Sequence, residues 1–177
     1  MEDPKIHGGY RNLRSYQTTT LIYDLTVEFC KLYIEKYSRT NDQMIQAARS
    51  GKQNIAEGSQ ASGTSKKTEI KLVGVARASL EELLLDYEDF LRQRGLKIWN
   101  KDDLRAKEKR NLTYKFDKSY ETYRSYLKNP ETGANCLICL INQANYLLDR
   151  QIQSLENSFI KDGGYTENLF RKRVSQR

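Results

Sequence analysis

TSKKTEIKLVGVARASLEELLLDYEDFLRQRG, residues 64–95, decides the fold. Leu72, Ala76, Leu80, Leu83, Tyr87 and Leu91 recur at spacings of four, four, three, four and four, which places them on one stripe of an α-helix. Thr64 or Ser65 can cap its start, and Gly95 stands where a C-terminal cap belongs. About 29 helical residues would reach roughly 44 Å at 1.5 Å each. A helix of that length in a 177-residue chain implies a bundle or an oligomer, because one apolar stripe needs partners along its whole length.

The same period extends in both directions. Upstream, Met44, Ala48, Gly51 and Ile55 predict a helix over 42–56, stopped by the glycines of 58–63. Its stripe is small in the middle, and Gly51, at a cost of about 1 kcal/mol in a helix, suits close approach of a neighbour. Leu21, Leu25, Phe29, Leu32 and Tyr33 predict a helix over 17–37, weakened at its start by Thr18, Thr19 and Thr20. Downstream, Leu104, Leu112, Phe116, Tyr120, Tyr123 and Leu127 predict a charged helix over 102–128, broken by Asn129-Pro130. Leu137, Leu140, Ile141, Ala144, Leu148, Ile152, Leu155 and Phe159 predict a last long helix over 133–159, stopped by Gly163-Gly164. No stretch alternates with period two, and the only prolines are Pro4 and Pro130. The expected fold is all-α, an up-down four-helix bundle with an extra charged helix inserted before the last long one. Residues 1–15 read as a flexible lead, 16–95 as the first three helices, 96–162 as the inserted and final helices, and 163–177 as a polar basic tail.

No membrane span is expected. The longest uncharged run, 132–148, is shorter than the ~20 residues a span needs, and it holds Asn135, Asn142, Gln143 and Asn145. Three cysteines, an odd count, and a polar N-terminus without an apolar core point to reduced thiols in the cytoplasm.

The charge is uneven. Twelve lysines and arginines lie between Arg92 and Lys128 against five acids, an excess equal to the whole net charge of +7. Arg105, Lys107, Lys109, Arg110, Lys115 and Lys118 make that segment a candidate surface for phosphates, with tyrosines interleaved for stacking on bases. A solvated face over a core of Phe116, Tyr120 and Tyr123 is the competing reading. A second basic group, Arg49, Lys52, Lys66, Lys67 and Lys71, surrounds the turn between the second and third helices, and a third lies in the tail at Arg171, Lys172, Arg173 and Arg177.

Residues of catalytic type are sparse. Cys136 and Cys139 form a C-x-x-C, but zinc needs about four ligands, and only Cys30 and His7 remain to complete a set. The βαβ setting of a redox dithiol is missing, so buried, inert thiols are expected. His7 falls in the lead, where nothing would hold it as a general base. Glu81-Glu82 and Glu88-Asp89 are adjacent in sequence and diverge on a helix. Gly51 and Gly58 match no nucleotide-binding fingerprint, and the Glu-x-x-His of di-iron bundles is missing. The expectation is a protein that is not an enzyme and binds no cofactor or metal.

QMIQAARSGKQNIAEG (43–58), followed by a helix containing VARASLEELLLDYEDFL (75–91), resembles the four-helix-bundle protein family first noted in intervening sequences of bacterial 23S ribosomal RNA genes. That family includes the accessory protein of diversity-generating retroelements. The resemblance covers about residues 16–95 and rests on the motif Asn54, Ile55, Ala56, Glu57 and Gly58, joined to the preceding AAR and the following SLEEL. The later PETGANCLICLINQANYLLDRQI (130–152) with GGYTE resembles the suffix region some members carry, and the charged helix before it departs from a plain member. The resemblance implies a ring-forming homo-oligomer, a pentamer, with a basic surface. For the retroelement relatives it also implies RNA or DNA and a reverse transcriptase as partners. It implies no catalysis. The expected function is therefore a noncatalytic nucleic-acid-binding accessory factor, with a protein-interaction module as the alternative.

Overall fold

The computed structural model describes residues 9–100, 102–114 and 120–176, with the backbone alone at 109, 110 and 112–114. Four long helices, α1 (Arg14–Tyr33), α2 (Arg39–Ala61), α3 (Lys66–Gln93) and α6 (Pro130–Asp162), form the bundle, and the expected all-α, up-down architecture is present. Between α3 and α6 lie α4 (Leu104–Tyr114), α5 (Tyr120–Arg124) and a 3₁₀ turn at Ser125–Lys128, and α7 (Tyr165–Ser175) follows α6. Among the described residues there is no strand.

Three of the long helices start on a side-chain cap. Ser38 accepts from the Asn41 amide, Ser65 from the Thr68 amide and Asn129 from the Thr132 amide, satisfying donors that no intrahelical carbonyl reaches. Gly95, at φ 65°, closes α3 as Leu96 N–H donates to the Leu91 carbonyl at 2.9 Å. Packing runs from α1 to α2, α2 to α3, α3 to α6 and α6 back to α1, and is most extensive between α2 and α3. There Gly51 is decisive. A Cβ on it would lie 2.7 Å from Leu80 Cδ2, so the leucine occupies the space a side chain would need. Beside this notch Ser50 and Ser79 share a 2.8 Å hydrogen bond, and Asn54 donates to both the carbonyl and the hydroxyl of Ser50.

Several boundaries differ from expectation. Helix α1 begins at Arg14 rather than 17, inside the predicted lead, and ends at Tyr33 rather than 37. Thr18, Thr19 and Thr20 lie within it, their hydroxyls donating to the carbonyls of Arg14 and Tyr16 one turn back. Leu32 is 53% exposed, since the buried stripe steps from Phe29 to Cys30 and half-buried Tyr33. Helix α2 runs past Gly58 to Ala61, and Gly58 faces α3, where a Cβ would sit 3.3 Å from the Glu69 carbonyl oxygen. The inserted segment is not one helix over 102–128, because its end tightens into the 3₁₀ turn. Leu104 is 81% exposed and Ala106, at 3%, is buried in its stead, while Leu112 and Phe116 lie outside the described side chains. Pro130 does not merely break the chain. It is the first residue of α6, where its missing N–H costs nothing.

The glycines give a direct test. In urea denaturation Gly51→Leu is expected to lower stability by about 2–3 kcal/mol through overpacking against Leu80. Gly74→Ala, at a position where a Cβ meets no atom within 4 Å, is expected to raise it by about 0.5–1 kcal/mol.

Candidate nucleic-acid interface

The predicted cations fall into three places that the bundle keeps apart. Arg105 and Lys107 lie on α4, at the end where α3 stops and α6 begins. Arg49 and Lys52 sit midway along α2. Lys66 and Lys67 open α3 at the opposite end, roughly 40 Å from α4 at 1.5 Å per residue of a 28-residue helix. The side chains of Lys109 and Arg110, and residues Lys115 and Lys118, lie outside the described residues.

The inserted segment begins on a polar latch. Trp99 N–H donates to Asn135 Oδ1 at 2.8 Å, and Asn135 Nδ2 donates back to the Lys97 carbonyl at 2.8 Å. Asn135 is only 1% exposed, so this side chain completes backbone groups that water does not reach. Arg105 closes the latch. Its guanidinium donates to Asp103 at 2.9 and 3.1 Å, comes within 3.7 Å of Glu131 on α6, and lies 4.5 Å from the centre of the Trp99 ring. These bonds hold the Asp103 carboxyl below its ordinary range. Lys107 stands 3.5 Å from Asp102.

At the far end of the segment Arg124 Nε donates to Glu28 of α1 at 2.9 Å, and Tyr120 O–H donates to the same carboxylate. Tyr33 O–H donates to the Leu127 carbonyl at 2.5 Å, and Tyr123 and Leu127 are buried against the bundle. The segment is thus a strap from α6 across to α1. Its arginines Arg105 and Arg124 and its lysine Lys107 carry intramolecular ion pairs, as does Arg92 at the end of α3.

The other two groups differ. No ion pair among the described residues engages Arg49, Lys52, Lys66 or Lys67. Arg49 is exposed, and Lys52 Nζ lies 4.4 Å over the Tyr23 ring. Lys66 Nζ donates to Ser158 Oγ at 2.7 Å, and Lys67 Nζ lies 5.6 Å over the Phe159 ring. Both lysines border a cleft of about 160 Å³ between the start of α3 and the start of α7. Helix α7 is anchored there by a capping contact in which Gly164 N–H donates to Glu167 Oε2 at 2.9 Å. Among its described residues none is buried, and Arg171, Lys172 and Arg173 are exposed on it without an ion pair. The sequence reads these three as part of a polar basic tail, with a short helix there as the alternative, and the helix is present. The spacing Gly164 to Glu167, with Arg171, Lys172 and Arg173 toward the end of the segment, is the available signal for a helix.

The family-motif residues are chiefly packing elements. Ile55 and Gly58 are buried, Asn54 supports the α2–α3 hydrogen bonds, Ala56 is half-buried and Glu57 is exposed. Cys30 is buried, with its thiol pushed up to about 12 by desolvation. None of the cysteines forms a disulfide, Cys136 is buried and Cys139 is half-buried. His7 lies outside the described residues, and among the described residues no group of three or more His, Cys, Asp or Glu could hold a metal. No helix among the described residues is long and apolar enough to cross a membrane.

No family model, no curated protein and no solved structure matches the chain.

The strap carries its own pH dependence. The bonds from Tyr120 and Arg124 lower the Glu28 carboxyl below 4.5, and the carboxylate raises Tyr120 from 10 to about 12. The depressed carboxyl contributes stability that is present above its unfolded value and lost as pH falls through the folded one. The raised phenol contributes stability that is present below 10 and lost as pH rises toward 12. Glu28→Gln is therefore expected to lower the urea midpoint between about pH 6 and pH 9. Its difference from wild type should shrink as the pH is taken below about 4.

Proposed function

We propose that the chain is a noncatalytic, oligomeric four-helix-bundle protein of the cytoplasm that binds nucleic acid as an accessory factor. One observation carries the reading. Arg105, Lys107 and Arg124 of the strap carry ion pairs within the fold, whereas at the α3–α7 end Lys66, Lys67, Arg171, Lys172 and Arg173 have none among the described residues. Unpaired cations gathered at one end attract a polyanion and release its counterions on binding. The resemblance at residues 43–58 supports the same class of partner, and Arg49 and Lys52 extend the basic surface along α2. The burial of Cys30 and Cys136 supports a protein without a thiol nucleophile.

Self-association is supported by the outward face of α3. Val75 and Leu85 are 46% and 55% exposed, and the small Ala78 beside them would let another helix approach. The same face favours a second reading, an assembly module for a protein partner. A reverse transcriptase is the partner the resemblance implies.

Binding of labelled RNA and DNA, followed by anisotropy from about 50 to 300 mM salt, is expected to weaken linearly in log–log form. Lys66→Gln with Lys67→Gln should reduce the slope by about 0.7–0.9 for each phosphate no longer neutralised. Absence of binding at the lowest salt overturns the reading. Sedimentation analysis tests the oligomer separately. Leu85→Lys should shift a wild-type oligomer toward monomer without loss of helicity, and a monomeric wild type overturns self-association.

A further inference from the structure

Helix α7 is a helix with exposed apolar residues and no described partner for them. Tyr165, Leu169, Phe170 and Val174 are 50–64% exposed on it. In a short helix such residues usually face a core. Here the first of them, Tyr165, lines the cleft with Lys66, Lys67, Phe159, Thr64 and Ser65. The start of α7 is fixed beside that cleft. A Cβ on Gly164 would lie 3.1 Å from the Phe159 ring, and Glu167 is engaged by the Gly164 amide. From Tyr165 to Arg173 the helix rises about 12 Å.

We infer that this end of the bundle is a binding surface for single-stranded nucleic acid, with bases stacking on Tyr165 and Phe170 and phosphates held by Lys66, Lys67, Arg171, Lys172 and Arg173. The inference rests on the nucleic-acid reading above and adds the strand class and the residues that select it. Exposed aromatics beside cations match the two needs of a single strand, a π surface for bases and a positive track for the backbone. The ~12 Å of α7 is long enough to meet more than one nucleotide of a strand. A duplex offers only its phosphates to such a surface, because its base faces are covered by their neighbours in the stack.

The residue order on α7 disfavours a lipid surface. Arg173 follows Leu169 by four residues and Phe170 by three, so its guanidinium falls between them around the helix. An interfacial helix keeps its charges off the apolar face. Three acids lie close by, Glu167, Asp162 and Glu69, the last within electrostatic reach of Lys66. Glu167 accepts from Gly164 N–H, and Asp162 accepts from the Ser158 hydroxyl. The five cations outnumber them.

The experiment compares the full chain with Tyr165→Ala/Phe170→Ala and with Arg171→Gln/Lys172→Gln/Arg173→Gln. The probes are a labelled single-stranded oligonucleotide, its duplex, and vesicles of phosphatidylserine and phosphatidylcholine. Circular dichroism checks that helix content is retained, which the exposure of all five side chains favours. Wild type should bind the single strand more tightly than the duplex. The aromatic double variant should lose about tenfold or more on the single strand with little change on the duplex. The arginine–lysine variant should weaken both and flatten the salt dependence. Tighter duplex binding, or single-strand binding indifferent to the aromatic pair, overturns this inference while leaving the general reading in place. Loss of all oligonucleotide binding at low salt overturns both. Vesicle binding without oligonucleotide binding assigns the surface to lipid and overturns both as well.

Discussion

The notch at Gly51 governs the rest of the bundle. With no side chain at that position and small residues at Ala47 and Ala48, α2 can lie against α3 closely enough for Leu80 to fill the gap. Close packing of this kind gains dispersion along the whole contact, and each fully buried leucine adds roughly 1.5–3 kcal/mol. It also brings two hydroxyls, Ser50 and Ser79, within 2.8 Å, so the polar groups beside the notch satisfy one another. Gly58 repeats the arrangement two turns later, against the backbone of α3. Two glycines on one stripe fix the α2–α3 pair, and the pair fixes where Lys66 and Lys67 emerge.

The strap solves a different problem. The first half of α6 is apolar nearly all round, with Ala134, Cys136, Leu137, Ile138, Leu140 and Ile141 buried, and α1 and α3 cannot surround it alone. Residues 96–128 supply the missing wall, through Ala106 and Trp99 on one side and Tyr123 and Leu127 on the other. Charged groups then orient the wall rather than stabilise it strongly, because solvent screens partly exposed ion pairs such as Arg124–Glu28. The bonds that matter more are the buried ones, above all those of Asn135, whose loss would leave backbone groups without water or partner.

Much of this was legible in residue spacing. The stripe from Ala76 to Leu91 is buried, Ser65 and Gly95 cap α3 as expected, and Gly51 marks the close approach that its cost suggested. Helix ends were less legible because capping is decided by single side chains. Ser38 and Asn129 start helices where the composition reads as turn, and Gly58 continues a helix where glycine reads as stop. The interface was the least legible. Counting charges along the chain singles out the strap, but charge is only available to a ligand when no internal partner takes it. Asp103, Glu131 and Glu28 come from before, after and far upstream of the cations they meet, and no window along the sequence contains all of them.

That difference between charge present and charge available separates the two ends of the molecule. At the α4 end, Arg92 and Arg105 meet carboxylates, and an arriving phosphate would have to displace an existing partner at each of the two. At the α7 end, Lys67 rests on an aromatic ring, Lys66 on a hydroxyl, and the three tail cations on nothing charged among the described residues. Glu69, one turn on from Lys66, offsets part of its charge, but the ring and hydroxyl contacts of the two lysines are neutral ones. A phosphate there gains a full ionic interaction and displaces only counterions, which is the condition under which binding falls steeply with salt. The ion pairs of Arg105 and Lys107 thus lie about the length of α3 from Lys66 and Lys67, which have none among the described residues.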